Sequence, residues 1–475
     1  MSGARVAIVG GGVAGVTAAR ILAEAGICVT LFEGQGDLVS GPPFCHLHAG
    51  GNLYREISDA QCLSLLRQSI DFARLYPCSV DYRPTVIAVP VEDAGEPSDL
   101  LPRLEMLRRA YAEMIAEDSE VALLGPPEEY FRLYDRRDLE RLAEREPAAQ
   151  PRNADEWMIP VARGVAKERL KFPLILVQEY GLNLFRLAAG ARAMLTDASG
   201  VVLRLQTRVT GLRREDSGWR ILFEGPEGEA EERFDYLINA AGFRTGTIDE
   251  MLGLEERRMV EFKAAYIAAW PENRMKWPEI IIHGERGTPR GMGQFTPYPG
   301  NYFQLHGMTR EITLYDDGLV ASPPRYAQPR LDSAFLEKIE RGWRPEEVHR
   351  RTRAAIAHLA RYLPDFDSAE VGSIPLFGAQ QIPGEDPSLR VAEVSFPLPG
   401  YARCEIVKVS SAPDMARRIL RDLRERGVVG VEEAAPLSPP DEKRLDTEAR
   451  RIASERGYPS IMATRNVPPL RERQT

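Results

Sequence analysis

The chain has 475 residues, which is too long for one ordinary hydrophobic core and predicts two or three domains. Its net charge of -9 argues against a nucleic-acid partner, because such binding depends on clustered Lys and Arg. No window reaches the roughly 18 uninterrupted apolar residues of a transmembrane helix, and the N-terminus lacks a signal-peptide pattern. With five cysteines and no CxxC pair, the sequence predicts a reduced, cytoplasmic protein, and a peripheral membrane association stays open.

The first thirty-three residues follow the order strand, glycine turn, helix, strand, acid. The apolar run "RVAIV" predicts a buried parallel strand, and "GGGVAG" places Gly10, Gly12 and Gly15 in a G-x-G-x-x-G frame. The segment "VTAARILAEAG" predicts an amphipathic helix, and "CVTLFE" predicts a second strand that ends at Glu33. This complete unit predicts a dinucleotide site.

Each residue of this unit has a physical task. Gly10 permits the tight turn, Gly12 lets the backbone approach a pyrophosphate, and Gly15 lets the helix lie close to the sheet. Val13 and Ala14 begin the helix, whose N–H groups and partial positive charge favour a phosphate. Glu33 accepts hydrogen bonds from ribose hydroxyls, and its charge disfavours the 2′-phosphate of NADP.

The segment "GPPFCHLHAGGNL" brings a cysteine and two of the six histidines together. A metal site is disfavoured, since Cys45, His46 and His48 are too close in sequence to complete a tetrahedron and no second His/Cys cluster exists. A nucleophile and base at Cys45 and His46 are disfavoured as well, because adjacent side chains rarely face each other. The wall of a cofactor pocket is a third interpretation of this segment.

Later segments resemble, in order, the D-amino-acid oxidase superfamily of FAD-dependent oxidoreductases, which includes glycine oxidase, glycerol-3-phosphate dehydrogenase and malate:quinone oxidoreductase. The segments are "VDYRPTVIAVP", "LYDRRDLERLAEREP", "EYGLNLFRLAAGARAML", "VVLRLQTRVTGLRRED", "FDYLINAAGFRT" and "GYARCEIVKVSSAPDMARRILRDL". The resemblance implies an α/β fold (α+β overall), with a Rossmann-like FAD-binding domain and an interleaved antiparallel-sheet substrate domain. The FAD-binding domain would comprise residues 1–75, 170–250 and 370–428, the substrate domain 76–169 and 251–369, and a C-terminal tail 429–475.

The resemblance also implies which later residues contact FAD. Val209 would meet the adenine, and the small residues Ala240, Ala241 and Gly242 would let the backbone pass close to the cofactor. His48, Ala49, Gly50 and Gly51 would lie at the flavin edge, with His48 either in contact with the flavin or covalently bonded to it. The turn Lys408, Val409, Ser410 and Ser411 would deliver a helix N-terminus to the flavin, and Ser411 with Asp414 fits a capping box.

A member of this superfamily would oxidise a C–N or C–O bond of a small, carboxylate-bearing amino or hydroxy acid by hydride transfer to flavin N5. The candidate catalytic residues are His306 as a base, Arg403 as a carboxylate ligand and Lys408 as a stabiliser of charge on the reduced flavin. Arg83 and Arg310 are further candidates for the carboxylate. The electron acceptor would be oxygen, a quinone or another carrier.

Two rival functions stay open. The first is an NAD(P)H-dependent flavin monooxygenase, which is disfavoured because a second G-x-G-x-x-G and a late Gly-Asp pair are missing. The second is a flavoprotein with a non-redox binding role that uses the polar, proline-bearing tail after residue 430. That tail would pack on the body or between subunits, so a homo-oligomer stays open as well.

Overall fold

The computed structural model describes residues 4–43, 47, 57–428 and 436–468. The described residues form twenty strands and eleven α-helices. The helices are α1 (Val13–Glu24), α2 (Asp59–Leu75), α3 (Leu101–Glu117), α4 (Arg136–Ala143), α5 (Ala154–Gly164), α6 (Leu184–Asp197), α7 (Thr245–Met251), α8 (Ser333–Arg341), α9 (Pro345–Ala360), α10 (Ala412–Glu425) and α11 (Glu442–Glu455).

The strands alternate with these helices along the chain. They are β1 (Arg5–Val9), β2 (Cys28–Phe32), β3 (Val80–Asp81), β4 (Thr85–Ala88), β5 (Phe131–Tyr134), β6 (Leu174–Val177), β7 (Gly181–Leu182), β8 (Val201–Arg204), β9 (Arg208–Glu215), β10 (Gly218–Gly225), β11 (Gly228–Phe234), β12 (Tyr236–Asn239), β13 (Arg258–Ala269), β14 (Glu279–Ile282), β15 (Gly293–Tyr298), β16 (Tyr302–Gly307), β17 (Leu319–Ala321), β18 (Glu370–Pro383), β19 (Val394–Leu398) and β20 (Tyr401–Cys404).

A six-stranded sheet in the order β19-β20-β12-β1-β2-β8 confirms the predicted strand–helix–strand unit. Its pairs are parallel except for β19 with β20. The side chains of β1 alternate between two cores: Val6 and Ile8 face the helices, whereas Ala7 and Val9 pack with the three-stranded sheet β9–β11. Burial on both faces explains why the four residues that follow the exposed Arg5 in β1 are all apolar.

A second, nine-stranded sheet follows the order β17-β13-β16-β15-β14-β4-β6-β5, and β18 pairs with β13. Most of its pairs are antiparallel. The exception is the parallel pair of β4 with β14, so this sheet is mixed rather than purely antiparallel. The sheet includes β6 and β18, whose residues were predicted to lie in the FAD-binding domain, because β6 pairs with β4 and β5 and β18 pairs with β13. In sequence, its strands lie between β2 and β8 and again between β12 and β19 of the six-stranded sheet. The two sheets are therefore interleaved along the chain.

Residues 436–468 pack on the body of the protein. Helix α11 lies against α6, where Glu442 accepts a 2.7 Å hydrogen bond from Arg186, and Asn183 donates to the Met462 carbonyl at 2.7 Å. Within the described ranges, no helix is both long and apolar enough to cross a membrane. The same ranges contain no cluster of His, Cys, Asp and Glu suited to a metal ion.

Candidate cofactor and substrate site

A cavity of about 1350 Å³ lies between the two sheets. One end is lined by the ends of β1, β2 and β12, and the other by residues of β13, β15, β16 and β18. Pockets for small ligands and cofactors usually have volumes of roughly 300–1,000 Å³, so this cavity has room for a dinucleotide together with a small substrate.

The glycine turn at the first end is shaped by close backbone contacts. Gly10 has a φ of 108°, and a Cβ there would lie 2.3 Å from the Ala240 carbonyl oxygen. A Cβ on Gly15 would lie 1.8 Å from the Gly10 carbonyl oxygen, so only glycine lets α1 begin this close to β1. At Gly12, by contrast, a Cβ would meet no protein atom within 4 Å. Gly12 therefore presents bare backbone to the cavity, as pyrophosphate binding requires.

Glu33 lies at the end of β2 in the cavity wall. Its carboxylate accepts hydrogen bonds of 2.7 Å from the backbone N–H groups of both Gly11 and Gln35. Burial raises the pKa of Glu33, while these hydrogen bonds and the charge of Arg456 act in the opposite direction. The acid is thus fixed beside the glycine turn, in the place where a ribose would lie.

Most of the other residues expected at the cofactor also line the cavity. They are Val13, Ala14, Val209, Ala240, Ala241, Gly242, Lys408 and Val409. Gly15 supports the turn from behind, and Ser410 and Ser411 are buried outside the lining. The expected residues His48, Ala49, Gly50 and Gly51 lie outside the described residues.

The capping box predicted at Ser411 is wrong. Ser411 has helical backbone angles and makes no side-chain cap to α10; its hydroxyl donates instead to Gln68 Oε1 at 2.8 Å. Gln68 in turn donates to Asp414 at 3.1 Å. The amide of one glutamine on α2 therefore satisfies both side chains, which fixes α2 to the start of α10.

The three candidate catalytic residues lie in different surroundings. Lys408 and His306 line the cavity, at the turn before α10 and on β16 respectively. Arg403 does not line it: its guanidinium is buried and bonds Asp249, Glu256 and Glu405 at 2.8 to 3.1 Å. In this conformation, Arg403 has no donor directed to a substrate carboxylate.

The family model for FAD-dependent oxidoreductases (DAO) matches residues 5–391. The chain belongs to this family. Among solved structures, glycine oxidase from Geobacillus kaustophilus is 16% identical, with coverage of 92% of this chain and 99% of that chain and a TM-score of 0.55. L-amino acid deaminase from Proteus vulgaris is 14% identical, with coverage of 94% and 96% and a TM-score of 0.58. No curated protein sequence gives a significant match.

Membership of the DAO family identifies the dinucleotide as FAD, and the site fits it. Gly12 and the first turn of α1 would hold the pyrophosphate, Glu33 the ribose and Val209 the adenine. Lys408 and the residues before α10 would lie at the flavin end. The DAO members are oxidoreductases, and this chain is therefore an enzyme of that class.

Three cations at the substrate end of the FAD cavity were missed by the sequence reasoning: Lys263, Arg286 and Arg290. Lys263 and Arg286 share Glu261, at 3.3 and 3.2 Å. Arg290 makes no ion pair with any residue that the structure describes. A signal was present in "MVEFKAAYIAAW", where a Glu and a Lys two residues apart share one face of an otherwise apolar strand.

His306 is held neutral by its surroundings. Burial, followed by the positive charge of Lys263, lowers its pKa from 6.5 to about 4, although a hydrogen bond with the Ala264 backbone acts in the opposite direction. Burial likewise lowers the pKa of His358 to about 4. Between pH 6.5 and 4 the unfolded chain therefore binds protons that the folded protein does not, so the free energy of unfolding falls as the pH falls through this window.

We expect the variant His306→Gln to lose less stability on acidification, because one of these two histidines no longer takes up a proton on unfolding. The free energy of unfolding, measured in urea at pH 6.5, 5.5 and 4.5, should decline less steeply than in the wild type. The matched control is His349→Gln, an exposed position on α9, which should keep the wild-type slope. Equal slopes in all three proteins would contradict the low pKa of His306.

Proposed function

We propose that this DAO-family enzyme oxidises a C–N or C–O bond of a small amino or hydroxy acid that carries a carboxylate. The observation that supports this proposal most is that one cavity extends from the glycine turn to a substrate end lined by three cations. Of these cations, Arg290 has no acidic partner among the described residues. A guanidinium can bind a carboxylate with two parallel hydrogen bonds, which would orient the substrate.

FAD, when bound, supplies the acceptor for the hydride. The residues of this chain would bind and orient the substrate and handle its proton. Lys263 and Arg290 would supply positive charge at the substrate end. His306 is neutral at pH 7 and can accept a hydrogen bond from the substrate amine or hydroxyl, but its low pKa makes it a weak base. Lys408 would stabilise negative charge at the flavin end.

The proposal is tested by anaerobic titration of the purified enzyme with amino acids and 2-hydroxy acids. Loss of the 450 nm flavin band without NAD(P)H, in proportion to the substrate added, is the expected result. If NADPH bleaches the flavin and none of the acids does, the proposal is refuted in favour of a monooxygenase. If neither NADPH nor any of the acids bleaches it, a non-redox role is favoured. Oxygen or a quinone admitted afterwards identifies the electron acceptor by the return of the band.

The same sample answers the question raised by His48. Acid precipitation separates the protein from any flavin that is not covalently attached. A yellow supernatant means that the flavin is not covalently attached, whereas a yellow pellet means that His48 or another residue is linked to the flavin.

We expect the variant Arg290→Met to bind a carboxylate substrate at least about tenfold more weakly, because two charge-assisted hydrogen bonds are lost. The effect should appear in KM more than in kcat, since the carboxylate does not react. Arg310→Met is the control: Arg310 is exposed, pairs with Asp316 at 3.1 Å and lies outside the cavity lining. An unchanged KM in Arg290→Met would remove Arg290 from the site.

A further inference from the structure

Residues 436–468 are here called the C-terminal strap. They lie beyond the segment matched by the family model and make hydrogen bonds with residues beside both sheets. Beside the six-stranded sheet, the Leu437 N–H donates to Glu24 at the C-terminal end of α1 at 3.1 Å. Beside the nine-stranded sheet, the Val467 N–H donates to Asp81 of β3 at 2.7 Å, and the Asn466 carbonyl accepts from Lys276, just before β14, at 2.6 Å. The C-terminal strap therefore runs from one half of the molecule to the other.

Arg456, at the end of α11, connects the C-terminal strap to the loop that follows Glu33. Its guanidinium donates to the Leu38 carbonyl at 2.7 Å and to the Val39 carbonyl at 2.9 Å. Burial lowers the pKa of Arg456 while Asp37 raises it. Arg451, on the same helix, adds a 3.4 Å contact to Asp37.

Val39 has an unusual backbone conformation. Its φ is 54°, in the left-handed region that β-branched residues rarely adopt, and its side chain is buried. Such a conformation persists only when the surrounding structure holds it. The two bonds from Arg456 fix the carbonyls on both sides of the Val39 Cα, so they hold this conformation in place.

The held loop reaches the cofactor turn by a short series of hydrogen bonds. The Val39 N–H donates to the Gly11 carbonyl at 2.9 Å, and the Gly11 N–H donates to Glu33 Oε2 at 2.7 Å. Gly11 lies between the two glycines that shape the pyrophosphate site. Arg456 is thus two hydrogen bonds from the turn, and its charge acts directly on Glu33.

We propose that Arg456 is a positioning residue for FAD, through which the C-terminal strap holds the glycine turn and the ribose-binding acid in their cofactor-binding arrangement. The strap is then part of the cofactor site, although none of its residues lines the cavity. This inference rests on FAD binding by the family and is independent of the substrate proposed above.

The test measures the Kd of the flavin-free protein for FAD, by flavin fluorescence. We expect Arg456→Ala to raise this Kd by about tenfold or more, since two bonds to a charged group are lost. Arg444→Ala is the matched control on α11: Arg444 pairs with Asp197 of α6 and does not reach the loop, so the Kd should stay within about twofold. A wild-type Kd in Arg456→Ala would overturn the proposal.

A second comparison separates positioning from general stability. Glycine adopts a positive φ without strain, so in a Val39→Gly background the loop needs less support from Arg456. The fold-increase in Kd caused by Arg456→Ala should therefore be smaller in that background than in the wild type. An equal increase in both backgrounds would contradict the role of Val39 in the coupling.

A milder variant covers the case in which Arg456→Ala does not fold. Arg456→Lys keeps the positive charge but lacks the planar fork that donates to the Leu38 and Val39 carbonyls together. A Kd raised by about threefold would support the proposal. A wild-type Kd would oppose it.

Discussion

Gly12→Ala should bind FAD on the order of a hundredfold more weakly, about 2.7 kcal/mol, while its flavin-free form unfolds at the wild-type urea concentration. The added methyl meets no protein atom within 4 Å, and the backbone of Gly12 (φ −68°, ψ −176°) suits alanine as well as glycine. The methyl instead projects from the surface that a pyrophosphate must approach. Fluorescence titration with FAD measures the affinity, and urea unfolding of the flavin-free protein measures the stability.

Two further glycine substitutions serve as comparisons for Gly12→Ala. Gly36→Ala is the matched control, because its Cβ also meets no atom within 4 Å but the residue lies outside the cavity lining; its Kd should be that of the wild type. Gly15→Ala should destabilise the protein itself, since its Cβ would lie 1.8 Å from the Gly10 carbonyl oxygen. A Gly12→Ala protein that binds FAD normally would show that the pyrophosphate lies elsewhere.

Asp249→Ala should lower the free energy of unfolding by about 3–5 kcal/mol, the usual effect of breaking a buried ion pair from one side. Asp249 has no exposed side-chain surface, and it accepts from Arg258 at 2.8 Å, Arg403 at 3.1 Å and the Tyr401 hydroxyl at 2.5 Å. Its removal leaves two buried guanidinium groups without this partner. Urea unfolding at pH 7 gives the magnitude.

The control for this prediction is Asp316→Ala. Asp316 also pairs with an arginine, Arg310, at 3.1 Å, but both side chains are more than two-thirds exposed. Exposed pairs contribute about 0–1 kcal/mol, so the variant should be nearly as stable as the wild type. Similar losses in the two variants would mean that the buried network does not have the stabilising role assigned to Asp249.

The dinucleotide unit could be predicted from the sequence because its signals are local. Gly10, Gly12, Gly15 and Glu33 lie within one strand–helix–strand segment, and each residue type is dictated by backbone shape or by charge. The chain also keeps the order of the family segments, which singles out Val209 and Ala240, and both residues line the cavity.

The substrate end could not be predicted in the same way, because it depends on how distant strands are paired. Arg290 lies in the connection between β14 and β15. The chain has 61 Lys and Arg residues, and nothing in the local sequence distinguishes Arg290 from the others. The sequence places Arg403 in the segment expected near the flavin, but a buried carboxylate 154 residues away binds its guanidinium. The parallel pairing of β4 with β14 likewise joins segments nearly 200 residues apart.

The six-stranded sheet also determines when the enzyme can acquire its cofactor during synthesis. β1 and the glycine turn are made first, but the partner strand β12 ends at Asn239 and β20 at Cys404. Until those strands leave the ribosome, β1 lacks one neighbour and Gly10 lacks the Ala240 carbonyl against which it packs. Pairings over such distances form slowly, so we expect the cofactor-binding half to complete late and FAD to enter an almost finished chain rather than a growing one.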